Sequence, residues 1–391
     1  MQEESKTEYK IHTVTWNHDS HGLFDYESSN TSKVSFEQNF GFFYRDINHK
    51  ITLTSTYEND NEKKKYLVSL NDQKGKPILY KRILKDLTIN NETLESLQEQ
   101  IWYVIKQKTY KTQKYTSNYI YELKKNDIIK LGRIKFIVKD MNIVGKEILK
   151  SNETFIPFEI NKLSRITEEE NCRICYSNDN SNENNPMISI CKCKGSMNLH
   201  LECLKLWLKS KLEIKEINNK PGVSYIINKF NCELCHEPYQ ITIKNNNKNY
   251  NLIDYNIPEG QNYIILQSLN SIKENNYPLS IHVLMFIENE SSYILGRGHE
   301  SDIRITDISV SRSHARIFMK EDKFFMEDLG SKFGSLVLAK EHVILEFGFV
   351  YQIGRSLFYF DKDNDNNNNN IDNNYFEKIK KSFLNFTEEF Q

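Results

Sequence analysis

All seven cysteines of this 391-residue chain fall between Cys172 and Cys235. Cys172, Cys175, Cys191, Cys193, Cys203, Cys232 and Cys235 cluster at short spacings, and His200 stands three residues before Cys203. An odd number of thiols is a poor disulfide framework. Seven thiols and one imidazole make eight ligands, the number that two tetrahedral zinc ions take. The pairs Cys172-x2-Cys175, Cys191-x-Cys193, His200-x2-Cys203 and Cys232-x2-Cys235 can each set two ligands on one ion, because a tight turn brings the side chains together. Buried free thiols, or a redox Cys-x2-Cys pair, would each explain fewer of these residues. Closed sites of this kind leave no open coordination position, so they point to a structural metal and away from a hydrolytic one. Metal binding then becomes folding energy for loops too short to build a core.

The rest of the chain fits an intracellular setting. The N-terminal MQEESKTEYK is charged, without the apolar stretch of a signal peptide. The longest apolar runs, such as Val283–Ile287, have the length of a strand, far short of the ~20 residues of a membrane helix. A soluble protein of the cytosol or nucleus is expected, with no membrane span; thiols stay reduced there and clustered cysteines bind metal. Apolar residues make up 38% and charged residues 27%, with a formal net charge of -1. That balance gives no sign of a nucleic-acid partner.

The residues around the ligands carry more. CRICY, CKCKGSM, HLECLKLWLKSK and CELCHEPY, in the order four Cys, one His, three Cys, resemble the RING-CH zinc finger over residues 166–240. A PHD finger shares the ligand order, but it carries a Trp where this chain has Phe230; here Trp207 follows the sixth ligand by four, as in RING-CH fingers. The resemblance implies a cross-braced pair of sites. Cys172, Cys175, His200 and Cys203 would hold one Zn2+, and Cys191, Cys193, Cys232 and Cys235 the other. It further implies a ubiquitin ligase that forms no covalent intermediate: the finger grips a ubiquitin-conjugating enzyme charged with ubiquitin and acts by positioning. The docking groove would be walled by Ile174 and Trp207, closed by Pro238, with His236 where many RING fingers bridge to ubiquitin through a cation. A helix is expected over Leu201–Leu212. The spacing departs from the family twice: six residues separate Cys193 from His200, and 28 separate Cys203 from Cys232. The second departure reads as a surface insertion around Asn218–Gly222.

Nearer the C-terminus, YILGRGHESDIRITDISVSRSHARI and MEDLGSKFGS show strand alternation broken by turn residues at regular intervals. The Gly-Arg, Ser-Arg-x-His and Asp-x-x-Ser-x-x-Gly signatures resemble a forkhead-associated (FHA) domain, a β-sandwich that binds phosphothreonine peptides. Arg297 offers a guanidinium fork, Ser311 a hydroxyl and Arg312 a second cation for phosphate. His314 is expected to brace the loop. In the recognition loop, Ser331 and Lys332 join the candidate phosphopeptide-binding residues, with Lys332 where a Thr is common. Phe333 replaces the Asn that clasps the peptide backbone, which puts the peptide register in question.

Residues 1–145 carry no ligand cluster and are rich in β-formers. One echo stands out: IIKLGRIKFIV at Ile128–Val138 aligns without gaps to VYQIGRSLFYF at Val350–Phe360. A degenerate FHA-like domain or an unrelated β-rich domain would both fit. The expected order is therefore a β-rich domain at 1–145, the finger at 166–240, an FHA domain at 263–362, an Asn-rich spacer at 363–374 and an amphipathic C-terminal helix at 375–391. The helix rests on Phe376, Ile379, Phe383, Phe386 and Phe390, which share one face. The fold class expected is multidomain α+β, with FHA-like sandwiches flanking a cross-braced zinc finger. Two functions compete: a ligase that reads a phosphothreonine-marked protein substrate, and a non-catalytic phosphopeptide-binding adaptor with a structural finger.

Overall fold

The computed structural model describes residues 9–18, 22–58, 63–73, 76–80, 100–106, 120–145, 171–179, 182, 184–188, 193, 198–217, 219–228, 231–236, 239, 241–245, 248–269, 278–287, 291–339, 342–346 and 349–362. The expected spacer and C-terminal helix lie outside them, as do Cys191 and Pro238. The chain divides into two compact units, one of residues 1–137 with 288–391 and one of residues 138–287. These bounds differ from the domain boundaries expected at 145 and 263: the N-terminal third and the segment from Glu288 onward belong to the same unit.

The first unit opens with β1 (Tyr9–Trp16), β2 (Thr31–Phe36), β3 (Gly41–Asp46), β4 (Ile51–Thr54) and β5 (Lys64–Gln73). There follow β6 (Lys76–Tyr80), β7 (Ile101–Ile105), β8 (Tyr121–Glu122), β9 (Ile128–Leu131) and β10 (Ile134–Asn142), in which the chain passes to the second unit. That unit holds β11 (Met187–Ile188), β12 (Leu199–His200), helix α1 (Leu201–Lys209), β13 (Glu213–Glu216) and β14 (Gly222–Ile227). It continues through β15 (Thr242–Asn245), β16 (Lys248–Asn251), β17 (Asn262–Ser268) and β18 (Leu279–Phe286). Back in the first unit come β19 (Ser292–Gly296), β20 (Ile303–Arg304), β21 (Ala315–Lys320) and β22 (Lys323–Asp328). β23 (Ser335–Leu338), β24 (His342–Ile344), β25 (Tyr351–Ile353) and β26 (Ser356–Lys362) complete it.

The expected α+β class is corrected by this inventory. Among the described residues α1 is the one α-helix, and the rest of the regular structure is strand. The sequence reason is plain in segments such as YILG and ARIFMK, whose buried residues alternate with outward ones.

In the first unit, two five-stranded sheets run β20-β19-β21-β22-β8 and β24-β6-β5-β3-β4. A further ladder runs β9-β23-β7-β25-β26-β1-β2. Its pairings are long in sequence: β1 lies antiparallel to β26, with Thr13 opposite Phe358, and Thr15 Oγ1 meets Ser356 Oγ at 2.8 Å. One core gathers Ile11, Phe43, Val68 and Leu79 from the early strands with Val343, Tyr351 and Phe358 from the late ones. The rings of Phe43 and Phe358 meet edge to face at 5.2 Å, a geometry that favours aromatic pairs.

In the second unit, α1 buries Leu201, Leu204 and Leu208, one stripe at helical spacing. Its first turn is satisfied from outside, Glu202 N–H donating to Asn185 Oδ1 at 2.9 Å. The helix ends at Lys209, earlier than the expected Leu212. Ser210 forms the C-cap, its hydroxyl donating to the Trp207 carbonyl at 2.6 Å. The surface insertion expected around 218–222 is instead part of a β-hairpin, β13 and β14. β14 pairs antiparallel with both β13 and β18, Ser224 opposite His282. Its burial explains the error: in GVSYII four of the six residues are buried, which polar Asn218-Asn219 beside it does not suggest. The finger therefore lacks a mini-core of its own. Cys172, Ile188, Leu204 and Leu208 share one cluster with Tyr225, Ile265, Ile281 and Val283 of the sheet.

Candidate metal centre and phosphopeptide end

Two knuckles build the metal centre, and they are alike. In each, the residue after the second cysteine turns into the left-handed region, Tyr176 at φ 60° and His236 at φ 57°. Each returns its N–H to the first cysteine's carbonyl: Tyr176 N to Cys172 O at 2.8 Å, His236 N to Cys232 O at 3.0 Å. This closes the two-residue turn that sets both thiols on one side.

Cys172, Cys175, His200 and Cys203 bring four ligand atoms within 4.8 Å of one another, and Cys193, Cys232 and Cys235 bring three. A tetrahedron with ~2.3 Å arms has edges of about 3.8 Å. The spacings fit such a figure: Cys203 Sγ to His200 Nδ1 is 3.9 Å, Cys175 Sγ to His200 Nδ1 3.2 Å, and Cys193 Sγ to Cys232 Sγ 3.7 Å. His200 turns Nδ1 to the cluster and its Nε2–H to the Asp179 carbonyl at 2.8 Å, which fixes the tautomer a ligand needs. The soft thiolate-rich donor set suits zinc.

The electrostatics agree. Burial pushes the Cys172 thiol up, but the backbone N–H groups of Cys175, His200 and Ile174 outweigh it and bring it to about 6. Cys232 is brought to about 6 in the same way, by the N–H groups of Cys235 and Leu234 against burial. Cys203 goes to about 12, through burial first and then the neighbouring Cys175 and Cys172. A divalent cation would relieve that crowding of negative charge.

Around these ligands, Ile174 is 42% exposed, and Leu206 and Leu234 are 68% and 59% exposed. Trp207 is half-buried, edge to face with Tyr239 at 6.0 Å and capped by the Lys211 ammonium at 5.5 Å. His236 is exposed at the left-handed position of its knuckle. Leu234 escaped the sequence reading, although its place between the last two ligands matches that of Ile174 between the first two.

The second site lies on the loops beyond β19, β21 and β22. Arg297 is exposed; its N–H bonds the Ser311 carbonyl at 2.8 Å and its Nε the Val310 carbonyl at 3.2 Å. Ser311 Oγ accepts the Lys332 N–H at 3.1 Å. Arg312 is exposed, its carbonyl bonded by Ser301 Oγ at 2.8 Å. His314 is fully buried, and burial pushes its imidazole down. Its Nδ1 accepts the Ser311 N–H at 3.0 Å, so Nε2 carries the proton and donates to the Gly334 carbonyl at 3.2 Å. Both ring nitrogens are thus spent on the two loops. Ser331 is also fully buried, its hydroxyl and N–H given to the Asp328 carboxylate, so it does not reach the surface with Lys332.

The N-terminal third supplies the other wall, which sequence reasoning missed. Lys332 Nζ lies 3.3 Å from Asp25 Oδ2, and the Lys332 carbonyl accepts the Tyr26 N–H at 3.2 Å. Phe333 meets Trp16 with ring centres 6.2 Å apart. Lys106 donates to the Ser331 carbonyl and lies 4.9 Å over the Tyr26 ring. No local signal marks residues 16–26 as partners of a loop more than three hundred residues later.

Comparison with known proteins agrees with both sites. The chain carries a RING-variant domain at residues 172–235 and an FHA domain at 293–354. It is 38% identical over 71 residues to the ERAD-associated E3 ubiquitin-protein ligase DOA10 of Saccharomyces cerevisiae. That match takes in 18% of this chain and spans only 4% of the yeast protein's length. Among solved structures, the FHA domain of CT664 from Chlamydia trachomatis is 28% identical, covering 20% of this chain and 82% of that one with a TM-score of 0.13. A chain from work on phosphothreonine-dependent FHA domain interactions is 29% identical, with 20% and 81% covered and a TM-score of 0.13. At these TM-scores the strand pairings, and not the superpositions, define the fold. No helix among the described residues is long and apolar enough to cross a membrane.

Proposed function

We propose that this protein is a RING-type ubiquitin ligase directed by phosphorylation. The finger holds two zinc ions, with Cys191 as the fourth ligand of the second. It recruits a charged ubiquitin-conjugating enzyme, and the FHA domain captures a phosphothreonine-containing partner in the cytosol or nucleus. The observation that carries this reading is the Cys172, Cys175, His200, Cys203 quartet inside a RING-variant match, with Ile174 left exposed between its first two ligands. In this reading Ile174 is one wall of the surface that meets the conjugating enzyme. Trp207, one helical turn after Cys203, Pro238 and His236 border the same face in this reading. Arg297, Ser311, Arg312 and Lys332 carry the phosphate, and His314 holds their loops together.

The finger's chemistry is positional: it orders the thioester so that a substrate lysine attacks, and zinc supplies only the fold. The test is discharge of ubiquitin from charged conjugating enzymes to free lysine. Wild type should accelerate discharge with at least one enzyme, and Ile174→Ala and Trp207→Ala should abolish the acceleration while zinc content stays at the wild-type level. No acceleration across a full panel, from zinc-loaded protein, removes the catalytic reading and leaves the phosphopeptide-binding adaptor.

A further inference from the structure

The N-terminal third and the C-terminal segment are built on one plan and have traded parts. We infer that the chain folds two FHA-type sandwiches that exchange their closing strands, the second copy lending β24, β25 and β26 to the first and taking β8 and β9 in return. If each copy closed on itself, β8 would lie on β6, β9 on β7, β24 on β22 and β25 on β23. All four pairings are crossed. β24 lies on β6, with Val343 opposite Leu79, and β25 on β7, with Tyr351 opposite Tyr103. β8 lies on β22, with Met326 opposite Tyr121, and β9 on β23, with Val337 opposite Ile129.

The traded segments correspond residue by residue. Residues 121–138 match 343–360 without a gap, so the echo between Ile128–Val138 and Val350–Phe360 reaches back through β8 and β24. Gly132 and Gly354 make the same left-handed turn between the last two strands, at φ 60° and 56°. Leu123 N bonds the Phe324 carbonyl and its counterpart Leu345 N bonds the Pro77 carbonyl, both at 2.8 Å.

The correspondence also predicts its own symmetry axis. Ile129 matches Tyr351; their partners, Val337 and Tyr103, are therefore equivalent. These two residues are paired with each other in the β7–β23 ladder, flanked by Leu336 with Val104 and by Leu338 with Trp102. A strand pairing with its own equivalent about a central residue is the mark of a two-fold interface. The chain has the arrangement of a strand-swapped dimer folded into one polypeptide. Its crossing point is visible: Ala339 N–H bonds the Ile101 carbonyl at 2.8 Å, so the chain leaves β23 already beside β7 and enters the first copy three residues later.

The two copies differ where they would bind. Followed along the ladders, Arg45 stands at the place of Arg297, but Leu67, at a bulge in β5, stands at the place of His314. A leucine cannot accept the loop N–H that His314 accepts. The first copy keeps a cation without the brace and serves as the scaffold whose β1–β2 connection flanks the second copy's recognition loop.

Disulfide trapping in the full-length, zinc-loaded chain tests the exchange independently of the ligase reading. Tyr80 and His342 are register partners with stacked rings 5.9 Å apart. Tyr80→Cys with His342→Cys should oxidise to a link at monomer mass, mapped by peptide mass spectrometry. Ile120 is the residue that would face Tyr80 if each copy closed on itself, so Tyr80→Cys with Ile120→Cys should stay reduced. Thr15→Cys with Ser356→Cys reads the same exchange at β1 and β26 and covers a failure of the first pair to fold. The proposal is overturned if the Tyr80→Cys, Ile120→Cys variant oxidises to an internal link. It is equally overturned if the Tyr80→Cys, His342→Cys variant forms links only between differently labelled chains.

Discussion

Lys332 is held by the Asp25 carboxylate at 3.3 Å, and Asp25 is buried while the lysine is half-exposed. In the proposed function, a phosphate binding at Lys332 would compete with an acid already in place. Asp25→Asn should tighten binding of phosphothreonine peptides about fivefold, the ~1 kcal/mol that one partly exposed charge pair is worth. Lys332→Ala should weaken it by a similar factor. Fluorescence anisotropy with phosphorylated and unphosphorylated peptides measures both; weaker binding in Asp25→Asn would show that the pair organises the loop and does not compete.

Zinc loss should reach beyond the finger. Cys172, Leu204 and Leu208 belong to the same core as Tyr225, Ile281 and Val283, so a collapsed finger exposes the sheet. Chelation, or Cys175→Ser, should speed amide exchange at Val223–Ile226 of β14 by orders of magnitude, as metal binding is folding energy here. Unchanged protection in β14 would mean that the sheet stands without the finger.

The turn between β9 and β10 should tolerate no side chain. A Cβ on Gly132 would meet the Ser309 carbonyl oxygen at 2.6 Å, and the residue is left-handed. Gly132→Ala should cost about 2–4 kcal/mol, strain and overpacking combined. Gly145 is also left-handed, at φ 79°, with nothing near its would-be Cβ, so Gly145→Ala should cost only about 1 kcal/mol. Paired denaturant titrations compare the two.

Acid should loosen the second unit through His282. The ring is fully buried between Ser224 Oγ at 2.8 Å and Ser280 Oγ at 3.1 Å, and burial pushes it down to about 4. The unfolded chain protonates this histidine near 6.5, the folded chain only near 4. Its contribution is whole above pH ~6.5 and is lost as the pH falls toward 4, by about 3 kcal/mol in all. His282→Gln should flatten that part of the stability profile, while the part due to zinc release stays in both proteins. Identical slopes would sink this assignment.

Leu206 and Leu234 should matter to the finger's partner. Both are more exposed than Ile174 and neither packs in the shared core. Leu234→Ser should cut lysine discharge at least tenfold without changing zinc content or melting temperature. A loss of stability instead would make it a packing residue.

How far the sequence alone reaches depends on the distance between partners. The Cys and His clusters were legible because their pairs are local turns, and α1 because Leu201, Leu204 and Leu208 mark one face. The β13–β14 hairpin was not, because an Asn-rich turn hid a buried strand. Ser331 reads as a surface serine until Asp328 is seen to take its hydroxyl and N–H. Asp25, Tyr26 and Trp16 gave no signal at all, since their partners lie at Lys332 and Phe333. The repeated Gly-Arg turn was the one visible trace of the long-range plan, and it marked the strands that cross between the copies.

The pairing of β1 with β26 also sets a clock. β1 can pair with β2 at once, but Thr15 and Ser356 are 341 residues apart, so its other edge has no partner until nearly the whole chain has been made. At ordinary rates of synthesis that wait is on the order of 20 to 70 seconds. The finger, whose ligands are close in sequence, can take up zinc meanwhile, while the edge of β1 remains open to chaperones or to a neighbouring nascent chain. The order in which the chain emerges, and not its final stability alone, thus bears on how this fold is reached.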